Sequence, residues 1–184
     1  MQLVEAVKTQ ADVAQVTNKL LRNARDNTLY ADIWNLGLQV ALRISDLLSV
    51  TMAEALQGRI IIKESKTGKT RSIDLNSKAM EIVKARKAAH PYHVYLFEVE
   101  SNRAKGKPVS RVAVAQAFKA AGDELGIALG THSMRKTRGW VMFSAGVSIE
   151  MICKVLNHSS PAITMAYLGL TQSEIDDTYH EFVI

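Results

Sequence analysis

Apolar residues recur at helical spacing along most of the chain, and this pattern predicts a mainly helical protein. The first predicted helix covers residues 12–21. The segment 29–50 is apolar almost all round, which is typical of a buried helix. Capping and stop signals predict further helices over residues 76–89, 110–125, 131–145, 148–156 and 161–169, and a last short one from residue 173.

One part of the chain has the pattern of a β-hairpin. The β-branched segments 59–64 and 70–75 flank a polar turn, and Gly68 in that turn can adopt the positive φ of a tight connection. The predicted fold class is therefore mainly α with a small antiparallel β-hairpin, an α+β arrangement.

The apolar segment 29–50 contains one arginine. Asn35, Gln39, Arg43 and Asp46 are spaced by four, four and three residues, so a continuous helix would carry them on one stripe. An arginine in such an apolar helix is seldom unpaired. Arg43 is therefore expected either to pair with Asp46 on the same helix or to have a functional role.

Other polar residues lie where they can bind an anion. His132 and Arg135 are three residues apart in the first turns of a predicted helix, whose N-terminal dipole favours negative charge. His158 lies in a turn, and Tyr167 follows near the end of the next helix. Taken singly, Tyr167 is expected to be a core residue, and Lys66 at the hairpin tip a solvated one.

Composition excludes several protein classes. The chain has 184 residues, 47% hydrophobic and 22% charged, which suits one folded domain and not a disordered chain. Its one cysteine, Cys153, excludes an intramolecular disulfide and a multi-cysteine zinc site. There is no apolar run of about 18 residues and no signal-like N-terminus, so we expect a cytoplasmic protein.

Charge is unevenly distributed along the chain. Net charge is −1 over residues 1–57, +9 over residues 58–120 and −3 over residues 121–184. A central basic segment between nearly neutral flanks favours a polyanionic partner such as nucleic acid. A solvated lysine-rich surface is the alternative.

Considered together, these residues follow a known order. They lie in Ala-Leu-Arg43-Ile-Ser-Asp, Ser-Lys66-Thr-Gly-Lys, His132-Ser-Met-Arg135, Leu-Asn-His158 and Ala-Tyr167. From about residue 12 to the end, the chain resembles the tyrosine recombinase (phage integrase) family. It departs from the family pattern at Asn157, where glycine is usual, at Lys136, where histidine is frequent, and at Asp74, where proline is frequent.

The resemblance implies a site-specific DNA recombinase of the integrase, excisionase or invertase type. Such an enzyme cleaves and rejoins DNA through a 3′-phosphotyrosyl intermediate, and the resemblance implies no cofactor and no metal. The implied catalytic residues are Arg43, Lys66, His132, Arg135, His158 and Tyr167. Lys69 and Lys63 are alternatives to Lys66, which the family's turn pattern favours. A type IB topoisomerase-like nicking-closing enzyme and a non-catalytic DNA-binding protein are the alternative functions.

Several basic residues are candidates for contact with double-stranded DNA. They are Lys69, Arg71, Arg103, Lys105 and Lys107, with Lys84, Arg86 and Lys87 as further candidates. The expected organisation is one catalytic domain over 1–184, with a recombinase core at 12–170, a tail helix at 171–184 and no N-terminal core-binding domain. We expect self-association as a tetramer on paired DNA sites, a monomer as the alternative for the free protein, no membrane partner and a nucleoid-associated location.

Overall fold

The structure, a computed structural model, describes residues 4–99, 106–170 and 180. Over these residues the chain forms helices and one two-stranded antiparallel sheet, as the sequence predicts. In chain order the elements are α1 (Gln10–Asn23), α2 (Leu29–Val40), α3 (Ile44–Leu48), α4 (Met52–Leu56), β1 (Arg59–Lys63), β2 (Thr70–Asp74), α5 (Ser77–Ala89), α6 (Arg111–Leu125), α7 (Ser133–Ser144), α8 (Ile149–Leu156) and α9 (Pro161–Leu168).

The interior consists of two apolar clusters. The larger one surrounds α2 and draws on α1 to α6, with Trp34 and Phe118 packed edge to face at 5.7 Å between ring centroids. The smaller one joins α7, α8 and α9 through residues such as Ile152, Leu156 and Leu168. The N-terminal half of α7 lies against α2, since Met134 belongs to the larger cluster. The polar residues described below lie where the two clusters meet.

The hairpin forms where the pattern predicts it. β1 and β2 pair from Arg59 with Asp74 to Lys63 with Thr70, and the turn between them contains Lys66. Gly68 has φ +68°, the conformation for which a glycine was expected. One strand face is buried at Ile60, while Ile61 on the other face is 62% exposed.

Local capping accounts for most helix starts. Asn76, Ser110, Ser148 and Ser160 each accept a hydrogen bond from the backbone N–H three residues on, at the starts of α5, α6, α8 and α9. The expected cap at residue 131 is wrong. His132 occupies the N-cap of α7 without a side-chain cap bond.

The predicted continuous helix over 29–50 is also wrong. Helix α2 ends at Val40, Ala41 adopts a left-handed conformation with φ +49°, and Arg43 is extended before α3 begins. The polar stripe expected on one helix therefore does not exist. The break leaves the Ala41 carbonyl outside the helical hydrogen-bond pattern, where Arg135 Nη1 donates to it.

The predicted tail helix and the expected absence of a membrane span concern residues that the structure describes only in part. The tail helix predicted from residue 173 lies outside the described residues except for His180, which is helical and exposed. Among the described residues, no helix combines the length and the apolar character needed to cross a bilayer.

Candidate active site

The six predicted catalytic residues come from distant parts of the sequence, and several of them meet. Arg43, Lys66 and His132 line one groove of about 830 Å³. The Tyr167 hydroxyl donates a hydrogen bond to the His132 carbonyl oxygen at 3.3 Å. His158 packs edge to face on the Tyr167 ring, with 4.9 Å between ring centroids. The Arg135 guanidinium lies close enough to shift the pKa of both histidines and of the tyrosine.

Arg43 has a different partner from the one the sequence suggested. Its Nη1 lies 2.5 Å from Oε2 of Glu64 and not on Asp46. Asp46 instead accepts hydrogen bonds from the backbone N–H and the hydroxyl of Ser65. Because the helical conformation is interrupted between α2 and α3, Arg43 lies outside both helices and reaches the hairpin.

Glu64 is a buried anion that sequence reasoning missed. Its side chain has no exposed surface, and it accepts hydrogen bonds from Arg43, Thr67, Arg71 and Asn157. Burial by itself raises the pKa of this carboxyl, but the four donors outweigh burial and lower the pKa, so Glu64 is ionised at neutral pH. Its partners lie 3, 7, 21 and 93 residues away, so helical or strand periodicity could not reveal them.

Arg135 is buried, with 2% of its surface exposed. Its two terminal nitrogens donate to the carbonyl oxygens of Ala41 and Leu156, at the C-terminal ends of α2 and α8. A guanidinium carries five N–H donors, so each terminal nitrogen keeps one hydrogen for another acceptor. Arg135 therefore supports two helix ends and keeps N–H donors for a further acceptor, and it lies behind the residues that line the groove.

Tyr167 and His158 are held in uncharged forms. Burial raises the pKa of Tyr167, and the nearby Arg135 and Arg43 oppose that increase. Burial lowers the pKa of His158 to about 4, with the positive charges of Arg135 and Arg43 acting in the same direction and Glu64 against them. His158 is thus a neutral imidazole at pH 7, and its Nδ1 lies 3.0 Å from the Thr164 hydroxyl. The Lys136 ammonium lies 5.3 Å from the centre of the Tyr167 ring.

His132 and Lys66 border the open groove. Burial is the largest cause that lowers the pKa of His132, followed by the positive charges of Arg135, Arg43, Lys66 and Lys136. A neutral imidazole can accept a proton, as a general base must. Lys66 is exposed in the hairpin turn, so its ammonium can reach a ligand bound in the groove.

The predicted DNA-contact residues have different environments. Lys69 and Lys107 are exposed, while Arg103 and Lys105 lie outside the described residues. The Arg71 guanidinium is bound to Glu64 and to the Val155 carbonyl oxygen, with 11% of its side chain exposed.

Of the further DNA-contact candidates, Arg86 is buried and donates to Asp32 and to the Leu96 carbonyl oxygen, so it is not placed for a phosphate contact. Arg111 and Lys119 on α6, which sequence reasoning missed, line the same groove as Lys66. Their spacing of eight residues places both on one helix face, a signal that the sequence did contain.

The described residues contain no group of three or more histidine, cysteine, aspartate or glutamate side chains arranged to hold a metal ion. The cationic side chains that line the groove are Arg43, Lys66, Arg111 and Lys119.

Comparison with known proteins identifies the family. The model of the phage integrase family matches residues 5–174. The chain belongs to this family. A family relative, the probable integrase/recombinase YoeC of Bacillus subtilis, is 32% identical over 99% of this chain and 98% of its own length. Tyrosine recombinase XerA of Pyrococcus horikoshii is 25% identical over 91% of this chain but only 58% of its own length.

Solved structures of the family share the fold. A crystal structure of XerA recombinase has a TM-score of 0.72 at 17% identity, and the match covers 98% of this chain and 65% of that one. A lambda integrase dimer bound to a core site has a TM-score of 0.69 at 17% identity, over 91% of this chain and 49% of the other. The predicted fold and family are confirmed. The comparisons support the expected tyrosine recombinase class and give no support to the topoisomerase or non-catalytic alternative.

Proposed function

We propose that this chain is a site-specific DNA recombinase in which Tyr167 attacks a DNA phosphate. The observation that carries the proposal is the position of the Tyr167 hydroxyl, 3.3 Å from the His132 carbonyl, beside Arg135 and His158. A tyrosine with only a packing role would not need so many positive and hydrogen-bonding groups around it. A tyrosine that attacks phosphorus needs these groups to stabilise the charge that develops.

In the proposed cleavage step, the scissile phosphate is transferred from the 5′-oxygen of DNA to Tyr167. The Tyr167 oxygen forms a bond to phosphorus, the bond from phosphorus to the 5′-oxygen breaks, and the 3′-phosphate stays on the tyrosine. The phenolic proton passes to the neutral imidazole of His132, and the Lys66 ammonium gives a proton to the leaving 5′-oxygen. Rejoining reverses each transfer. Because the phosphotyrosyl bond retains the energy of the broken bond, the reaction needs no nucleotide.

Charge stabilisation in this proposal comes from the two arginines. Arg43 and Arg135 each present a planar set of donors to the non-bridging phosphate oxygens, a geometry that lysine does not offer. Neutral His158 adds a hydrogen bond. These groups are preorganised by Glu64 and by the two helix ends, so little reorganisation is needed when charge develops.

We further propose that DNA lies along the groove that contains Lys66, Arg111 and Lys119. Cations along the groove suit the phosphate backbone, and exposed Lys69 and Lys107 extend the basic surface. DNA binding is supported by the structures of related integrases in complex with DNA. Assembly of several protomers on paired sites, and docking of the tail 171–184 on a neighbouring protomer, belong to the same proposal.

Trapping of a covalent adduct tests the proposal. Nicked duplexes from the DNA that flanks the gene are incubated with the protein in excess EDTA, and protein–DNA adducts are resolved on a denaturing gel. We expect wild type to form an adduct and Tyr167→Phe to form none while it binds DNA nearly as well. Tyr179→Phe is the matched control and should behave as wild type. An adduct that survives in Tyr167→Phe, or that requires Mg²⁺, would contradict the proposed chemistry.

A further inference from the structure

Two hydrogen bonds made by side chains join the hairpin to the end of α8. The Arg71 Nη2 on β2 donates to the Val155 carbonyl oxygen at 2.7 Å, and the Asn157 Nδ2 donates to Oε2 of Glu64 at 2.6 Å. Asn157 immediately precedes His158, whose ring packs on Tyr167. The two bonds therefore connect the loop that carries Lys66 with the segment that carries His158 and Tyr167.

Asn157 has the backbone conformation that an asparagine tolerates well. It is the C-cap of α8, with φ +51° and ψ +48°, in the left-handed region. After glycine, asparagine is among the residues most often found there. A glycine at this position, which the family pattern favours, would keep the turn but could not make the bond to Glu64. The asparagine side chain is thus an addition to a turn that does not itself require one.

The hairpin end of this connection is fixed at the two residues that precede Lys66. Glu64, two residues before it, is buried and ionised, and Asp46 accepts two hydrogen bonds from Ser65. A buried carboxylate that loses a donor is left with an unsatisfied charge, which is unfavourable. Removal of the Asn157 amide should therefore loosen Glu64 and the turn that follows it.

We infer that Asn157 is a positioning residue that links the Lys66 hairpin to the segment carrying His158 and Tyr167. The inference about the hairpin stands on the hydrogen bonds alone, and its consequence for catalysis rests on the proposed function. When the link is present, the proposed proton donor Lys66 and the proposed nucleophile Tyr167 keep a fixed position relative to each other. When the link is lost, Lys66 is placed less accurately and protonation of the leaving oxygen slows.

The test compares two variants of Asn157 with a control in the same turn. Asn157→Gly keeps the left-handed backbone and removes the amide. Asn157→Asp keeps the shape but sets a second carboxylate against Glu64. Ser159→Gly loosens the turn at an exposed residue two positions on, without touching Glu64.

The first measurement is hydrogen–deuterium exchange of the free protein, which needs no DNA. We expect faster exchange over residues 63–70 in both Asn157 variants, more in Asn157→Asp than in Asn157→Gly, and wild-type exchange in Ser159→Gly. The segment 77–89 of α5 provides an internal reference, since it is separate from the link. Hairpin exchange that stays at the wild-type rate in Asn157→Gly would overturn the inference, whatever the protein does to DNA.

The second measurement is the rate of adduct formation on the nicked duplex with either oxygen or sulfur as the bridging 5′-atom. A thiolate leaves without the proton that an alkoxide needs, because its conjugate acid is far stronger. We expect Asn157→Gly to lower the rate with oxygen about 10-fold, the scale of a small misplacement of a catalytic group. The sulfur substrate should restore most of that loss, as it should for Lys66→Ala.

The outcomes separate the inference from the proposed function. A loss that sulfur does not restore would mean that Asn157 does not act through Lys66, and would overturn the catalytic part of the inference. If wild type forms no adduct with either substrate, the proposed function fails, and hydrogen exchange alone then decides whether Asn157 holds the hairpin. If Asn157→Gly forms the adduct slowly with oxygen, if sulfur restores the rate, and if hairpin exchange is faster, the results support both the inference and the proposed function.

Discussion

Arg135 combines a structural and an electrostatic role in one side chain. It donates to the carbonyl oxygens of Ala41 and Leu156, where helices α2 and α8 end and their dipoles leave partial negative charge. Burial lowers its pKa, but the pKa of a free guanidinium is so high that Arg135 keeps its charge. That buried charge is compensated by the two carbonyl oxygens, and in the proposed function it also stabilises the phosphate.

Arg135→Lys should therefore impair both stability and cleavage. An ammonium is a point donor that cannot span two helix ends and a phosphate at once. We expect a loss of roughly 2 kcal/mol or more in the free energy of unfolding and on the order of 10²-fold in cleavage rate. Urea unfolding and the adduct assay measure the two effects. Arg22→Lys, at an exposed position of α1, is the control, and normal values of both quantities in Arg135→Lys would refute the double role.

His158 should make stability depend on pH. Its pKa is about 4 in the folded protein and about 6.5 when unfolded. The unfolded chain therefore binds more protons between these values, and the free energy of unfolding should fall as pH decreases from about 6.5 to 4. Urea unfolding of wild type and His158→Gln over this range measures the effect. The variant should lose part of the pH dependence, and parallel curves would show that His158 titrates normally.

At the scale of elements, local signals were predictable and distant ones were not. The caps at Ser110, Ser148 and Ser160 follow from bonds to the backbone three residues on, so the sequence alone predicted them. The break between α2 and α3 carries no glycine or proline, and it occurs where Ala41 accepts a bond from a residue 94 positions away. Such a partner cannot be read from periodicity, and Arg43 was consequently assigned to the wrong element.

The contact between α2 and α7 depends on the absence of a side chain at Gly37. A Cβ placed there would lie 2.1 Å from the sulfur of Met134, which is completely buried. Gly37→Ala should thus cost about 1–3 kcal/mol in overpacking, reduced by the better helix propensity of alanine. Because Met134 adjoins Arg135, we expect cleavage to fall as well.

A double-mutant cycle checks this explanation. Met134→Ala removes the side chain that the new Cβ would meet, so the cost of Gly37→Ala should largely disappear in the Met134→Ala background. The free energies of unfolding of the four proteins measure the coupling. Strictly additive effects would mean that the two residues do not clash.

At the scale of the molecule, the candidate site lies where the two apolar clusters meet. The larger cluster provides Arg43 and the hairpin, and the smaller cluster provides the helices around His158 and Tyr167. Hydrogen bonds from Arg71 on the hairpin to Val155, and from Asn157 to Glu64, cross between them. The order of the predicted catalytic residues was evident from the sequence through family resemblance. The hydrogen bonds that cross between the two clusters join residues far apart in sequence, so the sequence did not predict them.

The C-terminal tail, residues 171–184, comes shortly after α9, the helix that contains Tyr167. Residues 171–184 contain four acidic residues and no lysine or arginine, so the tail should avoid DNA. Its apolar residues Ile175, Tyr179, Phe182 and Val183 recur at helical spacing and need an apolar surface. A helix of about a dozen residues is marginal by itself, so a helix formed by this sequence would have to dock on an apolar surface.

If the tail docks on a neighbouring protomer, removal of residues 173–184 should affect assembly more than DNA binding. We expect the truncated protein to stay folded and to bind a single half-site, while complexes with several protomers on DNA become weaker. Mass photometry of both proteins on duplexes with one or two half-sites measures this difference. A matched variant that replaces Glu174 and Glu181 with glutamine keeps the apolar residues and should assemble normally. A truncated protein that unfolds, or that loses binding to the single half-site, would place the tail in its own domain, because a segment that packs on a neighbour is not needed by an isolated protomer.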